Sequence, residues 1–248
     1  MSASLSEEFT VRPAEVDDLH AAVALFNACS MVQIGKAVIE ETEFGTEWKM
    51  PNLDLETDTR VVLDSDGKMV GYAAVRDGAP YVRIFVQVRV HSEYEGRSIG
   101  TYLGQWAEER ALQAVPKAPE GVRVALRQFV PEADIRAGAL LDQLGYQVVR
   151  HFFEMVIEMD APPPEPCVPE VIVIRPFVCE TEDRALVHTI RDAFKDHWGH
   201  VESPFEEDYA EWVHWMDDPS FDQSLWFVVV ASDEIVGCSI CYDVTGEG

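Results

Sequence analysis

The stretch "YVRIFVQVRVHSEYEGRSIGTYLGQWAEERA", from Tyr81 to Ala111, decides how the rest of the chain is read. Its first ten residues are rich in β-branched and aromatic side chains, which marks a strand. A polar turn follows, and then an apolar stripe at Ile99, Leu103, Trp106 and Ala107 with "EER" on the outer face, the period of an amphipathic helix. A strand passing through small residues into a helix N-terminus is the layout of a phosphate cradle. Backbone N–H groups converge there, and the aligned peptide dipoles contribute about half a positive charge. Gly96, Ser98, Gly100 and Thr101 are small enough for close approach, and Arg97 adds a formal charge. Glu95 puts a carboxylate where the anion would arrive. Two glycines alone fit an ordinary strand-to-helix turn equally well.

Working outward, the segment before this stretch is "TRVVLDSDGKMVGYAAV", two strands about a "DSDG" turn. Earlier still, "FTVRP" reads as a strand, and a helix begins near Asp17 with apolar positions Leu19, Ala22, Val23, Leu25 and Phe26. After the central stretch come a strand "VRVALRQFV", a helix "EADIRAGALLDQLG" and a last strand "YQVVRHFFEMVIEM". The pattern mixes hairpins with crossovers and predicts an α/β fold, a mixed, mostly antiparallel sheet flanked by helices.

"APPPEPCVPE" at 161–170 holds five prolines and reads as a semi-rigid linker. Beyond it the pattern restarts. "VIVIRPF" echoes "FTVRPA", a helix "ETEDRALVHTIRDAF" follows, and "LWFVVVASDEIVGCSIC" echoes the first hairpin. Arg175-Pro176 lies 163 residues after Arg12-Pro13, and Gly237 lies 166 after Gly71. Two anchors at nearly one spacing indicate duplication. The expected organisation is a complete unit over 1–160, the linker, and the N-terminal half of a second unit over 171–248. Half a sheet exposes an edge and an apolar face, so a truncated chain, or a homo-oligomer formed through the incomplete unit, is expected.

The chain has 248 residues and a formal charge of −26, from 19 basic and 45 acidic side chains. That field disfavours nucleic acid and anionic lipid and favours cationic partners such as amines. No apolar stretch is long enough to span a bilayer, and the N-terminus lacks a basic segment followed by an apolar run, so cytoplasm is expected. Five cysteines are scattered, and "CSIC" falls in a strand pattern that turns the two thiols to opposite sides. His197 and His200 in "DHWGH" are three apart, but Gly199 separates them and no third ligand has matching spacing. No metal site is expected.

The run "VRVHSEYEGRSIGTYL" resembles the acyl-CoA-binding motif of the GNAT superfamily of N-acetyltransferases, a strand followed by Arg/Gln-x-x-Gly-x-Gly/Ala opening a helix. "MVGYAAV" and "ALLDQLGYQVV" also fit that layout, and the tandem arrangement is similar to mycothiol synthase-like acetyltransferases. The resemblance implies acetyl-CoA as co-substrate and a small amine attacking the thioester directly, with no covalent enzyme intermediate. It further implies binding through the backbone of Val88 and Val90 and through Gly96, Arg97, Ser98, Ile99, Gly100 and Thr101. Glu95 stands where the family has Arg or Gln, and Ser98 replaces the first motif glycine. Leu141 stands where the family often has a tyrosine that protonates the leaving thiolate. No catalytic residue is assigned. His91 and Glu93 sit near the expected thioester, and Trp48 with "NLDLETD" is an expected acceptor lip. Glu95, Ser98 and Leu141 keep a second reading open, a non-catalytic scaffold that supports a catalytic second domain.

Overall fold

A computed structural model describes residues 5–243; the outermost ends of the two expected units lie outside that range. The chain divides into two compact units, Met1–Tyr146 with Val201–Ser220, and Gln147–His200 with Phe221–Gly248.

In the first unit, strand β1 (Thr10–Arg12) leads through a 3-10 turn into helix α1 (Leu19–Ile34). Helices α2 (Glu41–Glu47) and α3 (Leu55–Asp58) follow, and then the hairpin β2 (Thr59–Leu63) and β3 (Met69–Arg76). Strand β4 (Arg83–Val90) runs into α4 (Ile99–Leu112), then β5 (Ala125–Arg127) and α5 (Ile135–Gln143). The strands lie in the order β1-β2-β3-β4-β5, antiparallel except for the parallel pair β4–β5.

Alternation of side chains across the sheet builds a core on each face. On one face Tyr72 and Val61 meet Phe26 from α1, Phe44 from α2 and Trp48 just after it. On the other, Val62, Val70 and Ala73 meet Ile99 and Leu103 from α4. Gly71 explains how closely α4 lies on the sheet. A Cβ there would stand 2.7 Å from Ile99 Cγ2, a separation real side chains do not tolerate. Trp48 belongs to the core rather than to an acceptor lip. It is 6 % exposed, and its Nε1 donates to the Tyr72 hydroxyl at 3.0 Å.

The parallel pair is short. Pairing of β4 with β5 covers only Arg83–Phe85 against Ala125–Arg127, so β4 from Val86 to Val90 is bordered on that side by no strand of the described residues. Of the expected strand "VRVALRQFV" only the middle three residues pair. The expected strand over 146–159 does not form: Phe153, Met155, Val156 and Ile157 are exposed. Strand-like side chains make a strand only when a partner offers hydrogen bonds and a surface to cover the apolar face.

The second unit contains β6 (Val173–Pro176), α6 (Asp183–Phe194), β7 (Trp226–Ala231) and β8 (Glu234–Ile240), with the strands in that order and antiparallel. Several of its features parallel those of the first. Arg12 grips Asp18 through both Nη atoms, at 2.5 and 2.8 Å, and Arg175 grips Glu182 in the same way, at 2.8 and 2.5 Å. Each hairpin carries an irregularity at one place, Val62/Leu63 in the first and Val229/Val230 in the second. Gly71 is opposite Val62, and Gly237 is opposite Val229.

Helix α7 (Phe205–Met216) lies beyond the proline-rich linker in sequence but is part of the first unit. His214 Nε2 bonds the Thr46 carbonyl at 2.7 Å, and the Asn52 amide donates to Glu211 Oε1 at 2.9 Å. Asp218 accepts from the Thr46 hydroxyl, and Glu207 accepts from the Ala79 N–H at 3.1 Å. Tyr209, Trp212 and Trp215 of α7 are half-buried.

Candidate active site

Where β4 runs past the end of its pairing with β5, a cavity opens in the first unit. Val88, Arg89 and Val90 line it from β4, and Gly96, Ser98, Gly100 and Thr101 from the loop and the start of α4. Gln128, Val130 and Pro131 follow β5, Asp134, Leu140 and Leu141 come from α5 and its cap, and Cys29 and Gln33 come from α1. The cavity holds about 310 Å³.

Six of the eight residues expected at the cofactor site therefore border one cavity. Arg97 and Ile99 do not. The Arg97 guanidinium turns to Glu8, 2.6 Å away, and lies over the rings of Phe9 and Tyr94. Ile99 is 1 % exposed and packs into the core against the sheet. Alternation around the first turn of α4 separates these roles, since one face must hold the helix to the sheet.

The loop reaches α4 through two left-handed residues, Gly96 at φ 77° and Ser98 at φ 65°. Ser98 is the N-terminal boundary residue of α4 and makes no side-chain cap. Serine in this conformation is strained where glycine is not. Gly100 has a separate duty. A Cβ there would stand 2.8 Å from Leu140 Cδ2, so its absence lets α5 close against α4.

Glu95 is not a bare charge beside the loop. Arg136 on α5 forms a direct ion pair with its carboxylate, within hydrogen-bonding contact. Asp134 is also satisfied: it caps α5 by accepting from the Ala137 N–H at 2.9 Å and accepts from the Gln33 amide at 2.6 Å. Tyr94 donates to Asp64 at 2.5 Å, which holds its hydroxyl proton and raises its pKa. Cys29 donates to the Val90 carbonyl at 3.3 Å, and burial pushes the thiol up to about 11, so it is protonated at neutral pH. Burial lowers the Arg89 pKa, but an arginine remains charged.

His91 lies outside the cavity lining. Its Nδ1 accepts from the Glu93 N–H at 3.3 Å, and its Nε2 is 3.2 Å from Lys68 Nζ. Burial and the adjacent Lys68 lower its pKa, favouring neutral imidazole. Glu93 is exposed, with its carboxylate toward Lys68 at 3.8 Å. Leu141 lines the cavity, where it offers no proton. His197 and His200 follow α6 rather than sharing it, and no group of metal-binding side chains occurs among the described residues. Sequence reasoning missed Arg89, Arg136 and Gln33. Arg89 was hidden by its place between the two valines of the strand, and the other two by lying on separate helices.

Residues 24–146 match the acetyltransferase (GNAT) family, and the first unit belongs to that family. Over 136 residues the chain is 31% identical to a mycothiol acetyltransferase of Salinispora arenicola, covering 55% of this chain and 41% of the relative. A mycothiol acetyltransferase of Streptomyces scabiei is 27% identical over 182 residues, covering 71% of this chain and 53% of the relative. The chain thus spans about half the length of these curated relatives. The crystal structure of a GCN5-related N-acetyltransferase from Sphaerobacter thermophilus superposes with a TM-score of 0.77 and 29% identity, over 98% of this chain and 74% of that one.

Proposed function

We propose that the first unit binds acetyl-CoA in the cavity between β4, α4 and α5, and transfers its acetyl group to a small amine. The observation that carries this reading is the neutralised entrance to the loop. Arg136 cancels the Glu95 carboxylate, while the N-terminus of α4 and the N–H groups beside Gly96 and Ser98 remain to meet a pyrophosphate. Acetyl-CoA supplies an acyl group activated as a thioester; the amine nitrogen attacks its carbonyl carbon, loses a proton and forms the amide bond, while the C–S bond breaks and CoA leaves as the thiol. The protein's part is largely positioning. The free border of β4 at Val88 and Val90 lies beside the chain of the thioester. Cys29, protonated and bonded to the Val90 carbonyl, is not a nucleophile in this scheme.

Leu141 supports the second reading, a non-catalytic scaffold that binds CoA weakly or not at all and supports a catalytic second domain, because no tyrosine donor stands at that position of α5. The two readings part in one experiment. Acetyl-CoA stabilises the native state by mass action if the cavity holds it, by about 2.7 kcal/mol at a hundred times its Kd. Thiol release from acetyl-CoA in the presence of an amine panel then reports transfer. A melting shift without thiol release is a scaffold outcome; no shift at millimolar acetyl-CoA overturns the transfer reading and leaves the scaffold. Acetyl-CoA enters here as co-substrate, and the second unit is taken as the N-terminal half of another such domain after the linker at 161–170.

A further inference from the structure

Arg89 is the cavity's unanswered cation. Of the four charged residues lining the cavity, Glu95 and Arg136 pair with each other, and Asp134 is held by Gln33 and the α5 N-terminus. The only hydrogen bond made by the Arg89 guanidinium among the described residues runs from Nη1 to the Val88 carbonyl at 2.9 Å. Its carbon stands 5.2 Å from the centre of the Phe26 ring, which supports the plane from α1. Asp134, Glu47 and the Cys29 thiol act on it electrostatically, but among the described residues no carboxylate forms an ion pair with it. A guanidinium has five N–H donors, and at Arg89, half-buried in the lining of the cavity, the protein engages one of them.

Side-chain alternation separates Arg89 from the phosphate end of the cavity. Val88 and Val90 point toward the α4 face, packed with Ile99 and Leu103. Arg89 points to the opposite face, toward Phe26 and Cys29 of α1. An anion that meets Arg89 is therefore not the pyrophosphate at the N-terminus of α4.

We propose that Arg89 anchors a carboxylate carried by the acceptor, so that the substrates are amines that also bear a carboxylate. This rests on the acetyl-transfer reading above and narrows it. The planar fork matches a carboxylate through two parallel N–H···O bonds. A monoanion is favoured over a phosphate dianion because Asp134 and Glu47 already oppose a second negative charge here. The feature reverses the expectation drawn from net charge alone: the far field is negative, but the cavity's uncommitted group is positive.

The test uses the full chain and a panel of amino acids, β-alanine and γ-aminobutyrate, each beside its primary amide, with O-phosphoethanolamine as the phosphate arm. Thermal melting is titrated with and without saturating acetyl-CoA. The wild type is expected to bind at least one acid about tenfold or more tightly than its amide. Arg89→Met should erase that gap, and Arg89→Lys should keep a reduced gap. Equal binding of acid and amide, binding of O-phosphoethanolamine alone, no bound acid in the panel, or a gap that survives Arg89→Met would each overturn the proposal. If Arg89→Met does not fold, the wild-type and Arg89→Lys comparisons decide it. Absence of an acetyl-CoA shift is a separate result that overturns the transfer reading, because the acid–amide comparison is also made without acetyl-CoA.

Discussion

Ser98 holds a left-handed backbone at the entrance to α4 without a side-chain hydrogen bond to offset the strain. For an L-residue that conformation costs about 1–2 kcal/mol. Ser98→Gly is expected to raise the melting temperature by about 2–4 °C, the shift about 1 kcal/mol produces in a chain of this size. It should tighten acetyl-CoA binding as well, because the loop is then held in its binding shape without strain. Glu95 leads to a different expectation. With Arg136 already neutralising it, Glu95→Gln should change acetyl-CoA affinity little. Arg136→Ala should weaken it a few-fold, and adding Glu95→Gln to that variant should restore the loss. Arg136 is well exposed, so solvent screening keeps the effect small and salt-dependent. Titration calorimetry with acetyl-CoA at low and physiological salt reads both.

Among the elements, the paired glycines of the two hairpins make a controlled comparison. Gly71→Ala drives a Cβ into Ile99 and Leu103, at 2.7 and 3.1 Å, and forces α4 away from the sheet. Overpacking of this kind costs about 1–3 kcal/mol. Gly237→Ala meets only Val229, at 3.6 Å and beyond, an ordinary contact, so it should be neutral or slightly stabilising. Urea denaturation of the two variants checks the contrast. The same comparison shows what could be read in advance. Both hairpins and the helix after each first strand were legible, because local turns and apolar periods specify them. The strand expected over 146–159 was not, since its pairing depends on a partner that no local pattern names.

For the whole molecule, α7 changes where the first unit can be cut. The proline-rich linker reads as a boundary, yet Val201–Ser220 is part of the first unit. A chain ending at Asp160 should be less stable than the full chain, because Thr46, Asn52 and Ala79 lose their partners on α7 and the residues flanking it. Chemical denaturation followed by the fluorescence of Trp48 and Trp106 would show the lower midpoint.

Protonation acts in two opposite directions. Hydrogen bonds from Arg12 and Arg175 hold Asp18 and Glu182 below their ordinary values. Their stabilisation is full above the ordinary carboxylate range and is lost as pH falls through the depressed folded values. Burial raises Glu47 and Glu211 above 4.5. The native state then binds more protons than the unfolded chain, and these two groups cost stability as pH rises from 4.5 through their folded values. Glu211→Gln keeps an oxygen for Asn52 and should raise the melting temperature at pH 7, with the difference shrinking toward pH 4.

By itself the sequence determined the fold class, the two hairpins and the loop from Gly96 to Thr101. Each of these rests on neighbouring residues, through turn geometry, apolar period and the need for small side chains. Only the tertiary structure decided which loop residues border the cavity, that Glu95 is neutralised, and that Arg89 has no carboxylate partner among the described residues. Arg136 is 41 residues from Glu95 and Gln33 is 101 from Asp134. Charges are balanced across space, and their partners are chosen by how helices pack, so no local reading of the chain could have paired them.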